Sequence, residues 1–281
     1  MPSIRTRPES LPLGLLLAAV GGFLDAFTFV GYGGVFANAQ TGNIVLMGVE
    51  AGEQHWRAAL LHVPPILAFL LGVTGAEWLG RPAAHRIVKR PTRLALGAEI
   101  LVLGVVGLVP GWVPDQVVTA AIAFVAAVQI STFRSLGGID YVTTLTTGNL
   151  RSLVEKTYRW RADHDATAGR QAAQLAAVIV AFGVGAGVGA WCTHALSSRA
   201  AWVAAAGLVI ALAYIVGETI TLSRREHQGF LRNDSTPAHL AGQGSAGQRA
   251  DNYRGQPGGK GKAYLERPYD RQAGAATPYG A

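Results

Sequence analysis

The tripeptide Thr41-Gly42-Asn43 occurs a second time in the chain, as Thr147-Gly148-Asn149. A shift of about 106 residues superposes the two copies and aligns two further pairs, Phe27 with Phe133 and Gly31 with Gly137. A slightly larger shift, about 113 residues, brings a second group onto its counterpart: Ala68, Phe69, Gly72 and Trp78 fall on Ala181, Phe182, Gly185 and Trp191. Two groups of matches in the same order predict an internal duplication.

The composition is typical of a helical membrane protein. Of the 281 residues, 50% are hydrophobic and 15% are charged, whereas soluble domains carry about 25% charged residues. Long apolar runs rich in Gly, Ala and Val favour transmembrane helices. The single cysteine, Cys192, excludes an intrachain disulfide framework and a multi-cysteine zinc site. The net charge of +7 arises from basic loops rather than from a nucleic-acid-binding surface, so no nucleic-acid partner is expected.

The hydropathy pattern predicts six transmembrane helices, at residues 11–35, 56–79, 94–109, 117–136, 172–191 and 200–221. The first run is too long for the apolar region of a secretory signal, and it contains Asp25, so we interpret it as a retained helix. Tandem prolines, Pro64-Pro65, predict a kink in the second helix. The apolar stretch 44–47 is too short to cross about 30 Å of hydrocarbon. It is either the start of the next helix or a half-helix.

The fold class is therefore an all-α integral membrane protein with about six transmembrane helices, arranged as two three-helix repeats. Residues 1–10 form the N-terminus, 11–110 the first repeat and 115–222 the second repeat. Residues 223–281 are rich in Gly, Gln, Arg and Pro without apolar periodicity, which predicts a disordered tail. Between the fourth and fifth spans, Leu150, Leu153, Val154 and Tyr158 fall at helical spacing beside basic residues. This spacing predicts a short amphipathic helix at the membrane interface.

Basic residues alternate between the loops. They cluster near the N-terminus, after the second and fourth spans, and at the start of the tail, while the other loops carry few cations or carry carboxylates. Because short basic loops stay in the cytoplasm, this pattern predicts a multi-pass protein of the bacterial plasma (inner) membrane with both termini cytoplasmic. Each repeat contains an odd number of spans, so the two repeats must be inverted. Inverted repeats are common in secondary transporters, whose sites lie where helices break near the midplane.

The duplicated tripeptide is the first candidate site. Gly allows unusual backbone angles, and Thr or Asn can cap the N-terminus of a helix. The residues Thr41, Gly42, Asn43, Thr147, Gly148 and Asn149 therefore mark either a break in each repeat that faces a substrate or ion, or helix caps and nothing more.

Ionisable and amide groups inside the spans are the second set of candidates. Asp25 is either a proton or cation site or a structural carboxylate. Gln129 lies near the matching depth of the second repeat. Glu99 and His62 are weaker candidates. Glu99 lies near a basic loop and can instead snorkel or pair with Arg93. His62 can titrate near neutral pH, or be a hydrogen-bonded interior histidine.

Other motifs point to packing rather than chemistry. The alternating Gly183, Gly185, Gly187 and Gly189 follow no strand, so close helix packing explains them better than a nucleotide-binding turn. Cys192 has no His or Asp context of a nucleophile and is interpreted as inert packing. The sequence shows no serine-centred or metal-ligand spacing. We therefore expect no catalytic residue, no metal and no cofactor, and hence no enzyme.

The sequence resembles the YoaK family of bacterial membrane proteins of unknown function. The first motif consists of GGFLDA at residues 21–26, GVFAN at 34–38 and the first Thr-Gly-Asn, and the second of TTLTTGN at 143–149 with Gln129. The resemblance covers roughly residues 11–222 and adds Asn38 to the candidates. Ala127-Val128 replaces the usual small residue plus Gly before Gln129, which puts close packing there in doubt. The resemblance implies an inner-membrane protein of about six helices. Small-molecule transport has been suggested for this family, without a demonstrated substrate.

The leading hypothesis is a transporter of a small solute, coupled to protons or cations through Asp25. Asn38, Gln129 and the two Thr-Gly-Asn segments would line its path. The expected partners are the lipid bilayer and an unidentified small solute, and a homo-oligomer is compatible with the sequence. The alternative is a non-transporting membrane anchor or assembly protein that uses the basic loops and the tail. An intramembrane enzyme is disfavoured.

Overall fold

A computed structural model of the chain describes residues 10–85, 88, 90–133, 135–136, 139–140 and 146–234. The chain divides into two units, Met1–Arg224 and Arg225–Ala281, and only the end of the last helix is described in the second. The helices of the described residues are α1 Leu11–Gly31, α2 Gln40–Gly52, α3 Trp56–Leu61, α4 Val63–Leu79, α5 Pro82–His85, α6 Pro91–Val106, α7 Asp115–Thr132, α8 Thr146–Ala162, α9 Ala166–Leu196 and α10 Ala201–Asp234. A 3-10 turn, Ser197–Ala200, separates α9 from α10. A two-residue ladder pairs β1 Ser135–Leu136 with β2 Ile139–Asp140.

The all-α fold class is confirmed. Four stretches of the described chain are long and apolar enough to cross a membrane: Leu11–Gly31, Trp56–Leu79, Asp115–Thr132 and Ala166–Glu218. The last of these has 53 residues and contains the 3-10 turn, where Ser197 has a φ of 52°. The predicted third span corresponds to α6, which has 16 residues and is therefore about 24 Å long at 1.5 Å per residue. It is shorter than the four stretches above.

Two helices inside the predicted spans end earlier than the hydropathy suggested. The first helix ends at Gly31. The Tyr32 N–H still donates to the Thr28 carbonyl, but Gly33 and Gly34 adopt a φ of 72°, which no α-helix can continue. The second predicted span is broken at His62, between α3 and α4. The predicted kink is thus confirmed, and its cause is that Pro64 and Pro65 lack the N–H groups that would continue α3.

The predicted boundary of the tail is wrong. The helix α10 continues to Asp234, so residues 223–234 are helical rather than the start of a disordered tail. No proline interrupts this stretch, and helical hydrogen bonding therefore extends past the end of the apolar residues. Residues 235–281 and 1–9 lie outside the described part of the chain.

The two halves contain short helices that match one another. Each of α2 and α8 carries one Thr-Gly-Asn in its first turn. Each is followed by a short connection with one residue in the left-handed region, Gln54 at φ 62° after α2 and His164 at φ 54° after α8. The next helix then begins at Trp56 in the first half and at Ala166 in the second. Different residues share one backbone conformation at matching positions, as the internal duplication predicts.

Long helices of the first half pack along long helices of the second half. Helix α1 lies along α9, and α4 lies along α7. Gly185 of α9 faces the backbone of Ala19, and Gly72 of α4 faces the backbone of Phe124 on α7. The larger sequence shift superposes Gly72 on Gly185. Equivalent glycines therefore make equivalent close contacts between the halves.

The prediction that the glycines of the fifth span allow close helix packing is confirmed for two of the four. A side chain on Gly185 or Gly189 would meet the backbone of α1, whereas Gly183 and Gly187 have nothing within 4 Å of a built Cβ. The sequence put close helix packing just before Gln129 in doubt, but the structure shows a close contact there. The Cβ of Ala127 lies 2.8 Å from a Cβ built on Gly72. An alanine is thus small enough for this contact.

We expect Gly185→Val to destabilise the protein by about 1–3 kcal/mol, because overpacking forces α1 and α9 apart. Gly187→Val is the matched control, since it adds the same side chain to the same helix where space is open. Thermal unfolding in detergent micelles measures both. Equal shifts of the two melting temperatures would contradict the assigned contact.

Candidate functional site

Asp25 lies near the C-terminal end of α1 and faces the segment that follows this helix. Gly33 and Gly34 turn the chain back, and the Asn38 N–H donates to Asp25 Oδ1 at 2.6 Å. The Asn38 side chain donates to the Gly21 carbonyl, 3.2 Å away, on the same helix. Asp25 is only 5% exposed. Its Oδ2 and the Oδ1 of Asn38 have no hydrogen-bond partner among the described residues.

Asn43 holds the same segment from the other side. It is fully buried in the first turn of α2. Its Oδ1 accepts from the Phe36 N–H at 2.9 Å, and its Nδ2 donates to the Phe36 carbonyl at 2.8 Å. A second bond from Nδ2 reaches Gln40 Oε1 at 3.0 Å. One amide therefore satisfies both main-chain groups of Phe36.

For the first copy, the interpretation of Thr-Gly-Asn as a helix cap is wrong. The residue before α2 is Ala39, which makes no side-chain cap, and Thr41 is exposed. A Cβ on Gly42 would lie 3.0 Å from the ring of Phe36. The absence of that Cβ lets the Phe36 ring rest on α2, and the amide of Asn43 then binds the Phe36 main chain. The motif therefore attaches α2 to the preceding segment through the contacts of Gly42 and Asn43 with Phe36. Rules for helix capping do not predict such contacts.

We name Asp25, Asn38 and Asn43 the first polar cluster. Asp25 and Asn43 hold neighbouring parts of the segment 36–38, one from α1 and one from α2. The two unpaired oxygens are acceptors, and both belong to residues at least nine-tenths buried. The arrangement can hold a proton, a small cation or a donor group of a solute.

We expect Asn43→Ala to destabilise the protein by about 1–3 kcal/mol for each Phe36 group left buried and unpaired. Thr41→Ala, in the same helical turn but exposed, is the control and should unfold as the wild type does. Chemical denaturation in mixed micelles compares the two. A small effect of Asn43→Ala would show that water or another group replaces the amide.

In the second half, the structure describes only part of the predicted site. Asn149 is buried in the first turn of α8, while Thr147 and Gly148 are exposed. The predicted motif residues 143–145 lie outside the described residues. Gln129 is buried in the last turn of α7, and its Nε2 has no hydrogen-bond partner among the described residues. It does not belong to the first polar cluster, whose contacts come from α1, α2 and the segment between them.

Glu99 is the most completely buried carboxyl group in the described chain. It is 0% exposed, and neither of its oxygens has a hydrogen-bond partner among the described residues. It shares the buried face of α6 with Leu96 and Leu103, three and four residues away. Both leucines belong to an apolar core cluster to which α1, α7 and α10 also contribute. The two alternatives of snorkelling to the surface and pairing with Arg93 are therefore wrong.

His62 lies at the break between α3 and α4 and is 5% exposed. Its Nδ1 has no hydrogen-bond partner among the described residues. This nitrogen does not fit the alternative of a hydrogen-bonded interior histidine.

Two polar groupings were not predicted from the sequence. Glu50, in the last turn of α2, and Glu53 and His55, in the connection that follows, bring their ligand-type atoms within 4.8 Å of one another. His55 Nδ1 lies 3.1 Å from Glu50 Oε2. The second grouping lines a cavity of about 610 Å³ beside the ends of α1 and α9. There, burial and the nearby Asp115 carboxylate raise the pKa of Tyr32. Their residues come together through turns that hydropathy does not predict.

Long apolar helices that pack through glycines and enclose unpaired polar groups define a polytopic helical membrane protein. The chain belongs to the family described as protein of unknown function (DUF1275), whose model matches residues 13–214. It is 26% identical over 143 residues to the UPF0700 transmembrane protein YoaK of Bacillus subtilis (strain 168). That match covers 50% of this chain and 64% of the relative, which is less than two thirds of its length. No solved structure matches the chain. The resemblance to the YoaK family is confirmed.

Proposed function

We propose that the protein transports a small solute across the bacterial plasma membrane and couples this transport to protons or cations. The observation that carries the proposal is the first polar cluster. It places a buried carboxyl oxygen without a partner among the described residues at the point where a long apolar helix ends. Ionisable groups within a transmembrane helix are costly to maintain and usually mark an ion or substrate pathway.

The proposed architecture is two inverted repeats, α1 to α6 and α7 to α10, with six crossings. Crosswise packing supports it, because the first long helix of each half lies along the second long helix of the other. Two halves related by a two-fold axis in the membrane plane would pack in this way. The stretch Ala166–Glu218 is long enough for two crossings of about 20 residues each. The short α6 can be accommodated by local thinning of the bilayer.

A gating step follows from the contacts of segment 36–38. Asn43 ties this segment to α2, while Asp25 ties it to α1. If α2 moves relative to α1, the bond between Asn38 N–H and Asp25 Oδ1 breaks and the carboxyl group is exposed. In the closed arrangement Oδ2 holds a proton or a cation, and in the open arrangement it releases it. Asn43 acts as a positioning residue in this step.

Glu99 provides a second ionisable group on the proposed path. An unpaired carboxylate in an apolar interior costs far more than a neutral carboxylic acid, so the buried group is protonated in this conformation. Loss of that proton requires water or a cation to reach α6. The two carboxyl groups can therefore exchange ions at different stages of one transport cycle.

Cysteine labelling tests the inverted architecture. Asn43 and Asn149 are buried and unsuitable, whereas Glu53 and Asp163 are exposed at matching positions just before α3 and α9. In a Cys192→Ser background, we expect Glu53→Cys to react only from outside sealed cells and Asp163→Cys only from the cytoplasmic side. Reaction of both positions from one side would overturn the inverted repeat.

The anchor hypothesis makes the opposite prediction for the polar residues. A protein that only anchors or assembles others would tolerate replacement of Asp25 and Asn43, as long as it folds. It would lose function when the tail is deleted. Comparing these variants in one growth or assembly assay separates the two functions.

A further inference from the structure

Helix α8 exposes an apolar ridge. Leu150, Val154 and Tyr158 lie four residues apart and so share one face of the helix. Val154 is 69% exposed and Tyr158 is 72% exposed. Large apolar side chains at this exposure are unfavourable in water, so a low-dielectric surface is expected to cover them.

A basic ridge runs beside the apolar one. Arg151, Glu155 and Arg159 are also four residues apart, and Arg151, Val154, Glu155, Tyr158 and Arg159 together line a shallow groove between the two ridges. Arg161 adds a further cation at the end of the helix. Asp165 offsets the charge of Arg159, so Arg151 and Arg161 stand against the single Glu155 and this face carries net positive charge.

The opposite face of α8 is already occupied. Leu153 packs against the cluster that contains Leu175 and Val178 of α9. The ring of Trp160 fills the space over Gly169 of α9. Arg159, at the edge of the basic ridge, reaches back to Asp165, the N-cap of α9, at 3.1 Å. This packing fixes which face of α8 points away from the protein.

We infer that the outer face of α8 binds anionic lipid headgroups of the bilayer surface, with the apolar ridge inserted below them. A bilayer offers both partners at once, since its acyl boundary covers apolar side chains and its anionic phosphates attract the arginines. A second copy of α8 fits less well, because it would set one basic ridge against another. The inference is independent of transport. Because Trp160 and Arg159 of α8 contact the start of α9, the inference implies that lipid composition influences the position of the start of α9 through α8.

Spin labelling of the full-length protein tests this inference. In the Cys192→Ser background, a nitroxide at Val154→Cys is compared with one at Ser152→Cys, which lies off the apolar ridge. The protein is placed in nanodiscs of phosphatidylcholine alone or with added phosphatidylglycerol. We expect phosphatidylglycerol to increase contact of label 154 with oxygen, relative to a water-soluble nickel complex, and to change label 152 little.

Removing the charge should remove the dependence on lipid composition. In the double variant Arg151→Gln, Arg161→Gln, which leaves the pair of Arg159 with Asp165 intact, the docked-to-undocked ratio should fall about fivefold for each arginine lost. Raising the salt concentration around the unmutated protein should lower the same ratio, and this keeps the test valid if the double variant folds poorly. Equal immersion of label 154 in both lipid compositions would overturn the inference. Spin–spin broadening at label 154 would instead assign the face to a second copy.

Discussion

Asp25→Asn is expected to abolish proton- or cation-coupled uptake while leaving the fold intact. The asparagine Oδ1 can still accept from the Asn38 N–H, which lies 2.6 Å from Asp25 Oδ1. The amide cannot release a proton or supply a negative oxygen to a cation, so the exchange assigned to Oδ2 is lost. Asp25→Ala differs from it, because the alanine leaves the Asn38 N–H buried and unpaired and should also destabilise the protein.

The measurement uses proteoliposomes that contain a pH-sensitive dye or a sodium-sensitive dye. Pools of small solutes are first screened for a signal with the wild-type protein, and the active solute is then tested with each variant. Asp115→Asn is the control, since it removes an exposed carboxyl group outside the first polar cluster. Unchanged uptake and ion movement with Asp25→Asn would exclude the coupling role of Asp25, whatever the solute.

Glu99→Leu is expected to raise the free energy of unfolding by about 1–3 kcal/mol and to abolish transport. A buried polar group without a hydrogen bond costs about this much relative to an apolar side chain. The introduced leucine side chain would join the apolar face of α6 that already contains Leu96 and Leu103. A residue retained at a cost in stability is typical of functional sites, where stabilising replacements reduce activity.

Infrared difference spectroscopy provides a test of Glu99 that needs no substrate. In an Asp25→Asn background, which removes the other buried carboxyl group of the described chain, Glu99 should give the carbonyl band of a protonated carboxylic acid at neutral pH. Glu99→Gln in the same background should lack that band. The same two proteins are compared by chemical unfolding with Glu99→Leu in that background. Destabilisation by leucine, or the absence of the band in the protein that retains Glu99, would show that a partner compensates a charged Glu99.

Much of the fold was predictable because it depends on local patterns. Apolar runs of membrane-spanning length, the kink at Pro64-Pro65 and the amphipathic spacing of α8 all act within a few residues. The boundaries were less predictable. Hydropathy continues smoothly past Gly31, but the left-handed glycines after it end the helix. Hydropathy stops near residue 222, but helical hydrogen bonding continues to Asp234.

The candidate site was predictable as a set of residue types rather than as an arrangement. Asp25 and Glu99 were identifiable because carboxyl groups are rare within apolar runs. Nothing local distinguishes Asn43 from Thr41, yet one is fully buried and the other exposed. The partner of Asn43 is the main chain of Phe36, which reaches it only because the intervening segment folds back.

The sequence by itself determined the class of protein, the positions of most helices and the family, because hydrophobic periodicity, charge and motifs are read along the chain. Tertiary structure alone decided which polar groups find partners. Among the described residues, Glu99 and one oxygen of Asp25 are left unpaired, while Asn43 is saturated, because hydrogen bonding depends on how helices distant in sequence lie against one another. Understanding Gly72 and Gly185 requires both the sequence and the tertiary structure. Repetition marks them in the sequence, and only the contacts of α4 with α7 and of α1 with α9 explain why no side chain is tolerated there.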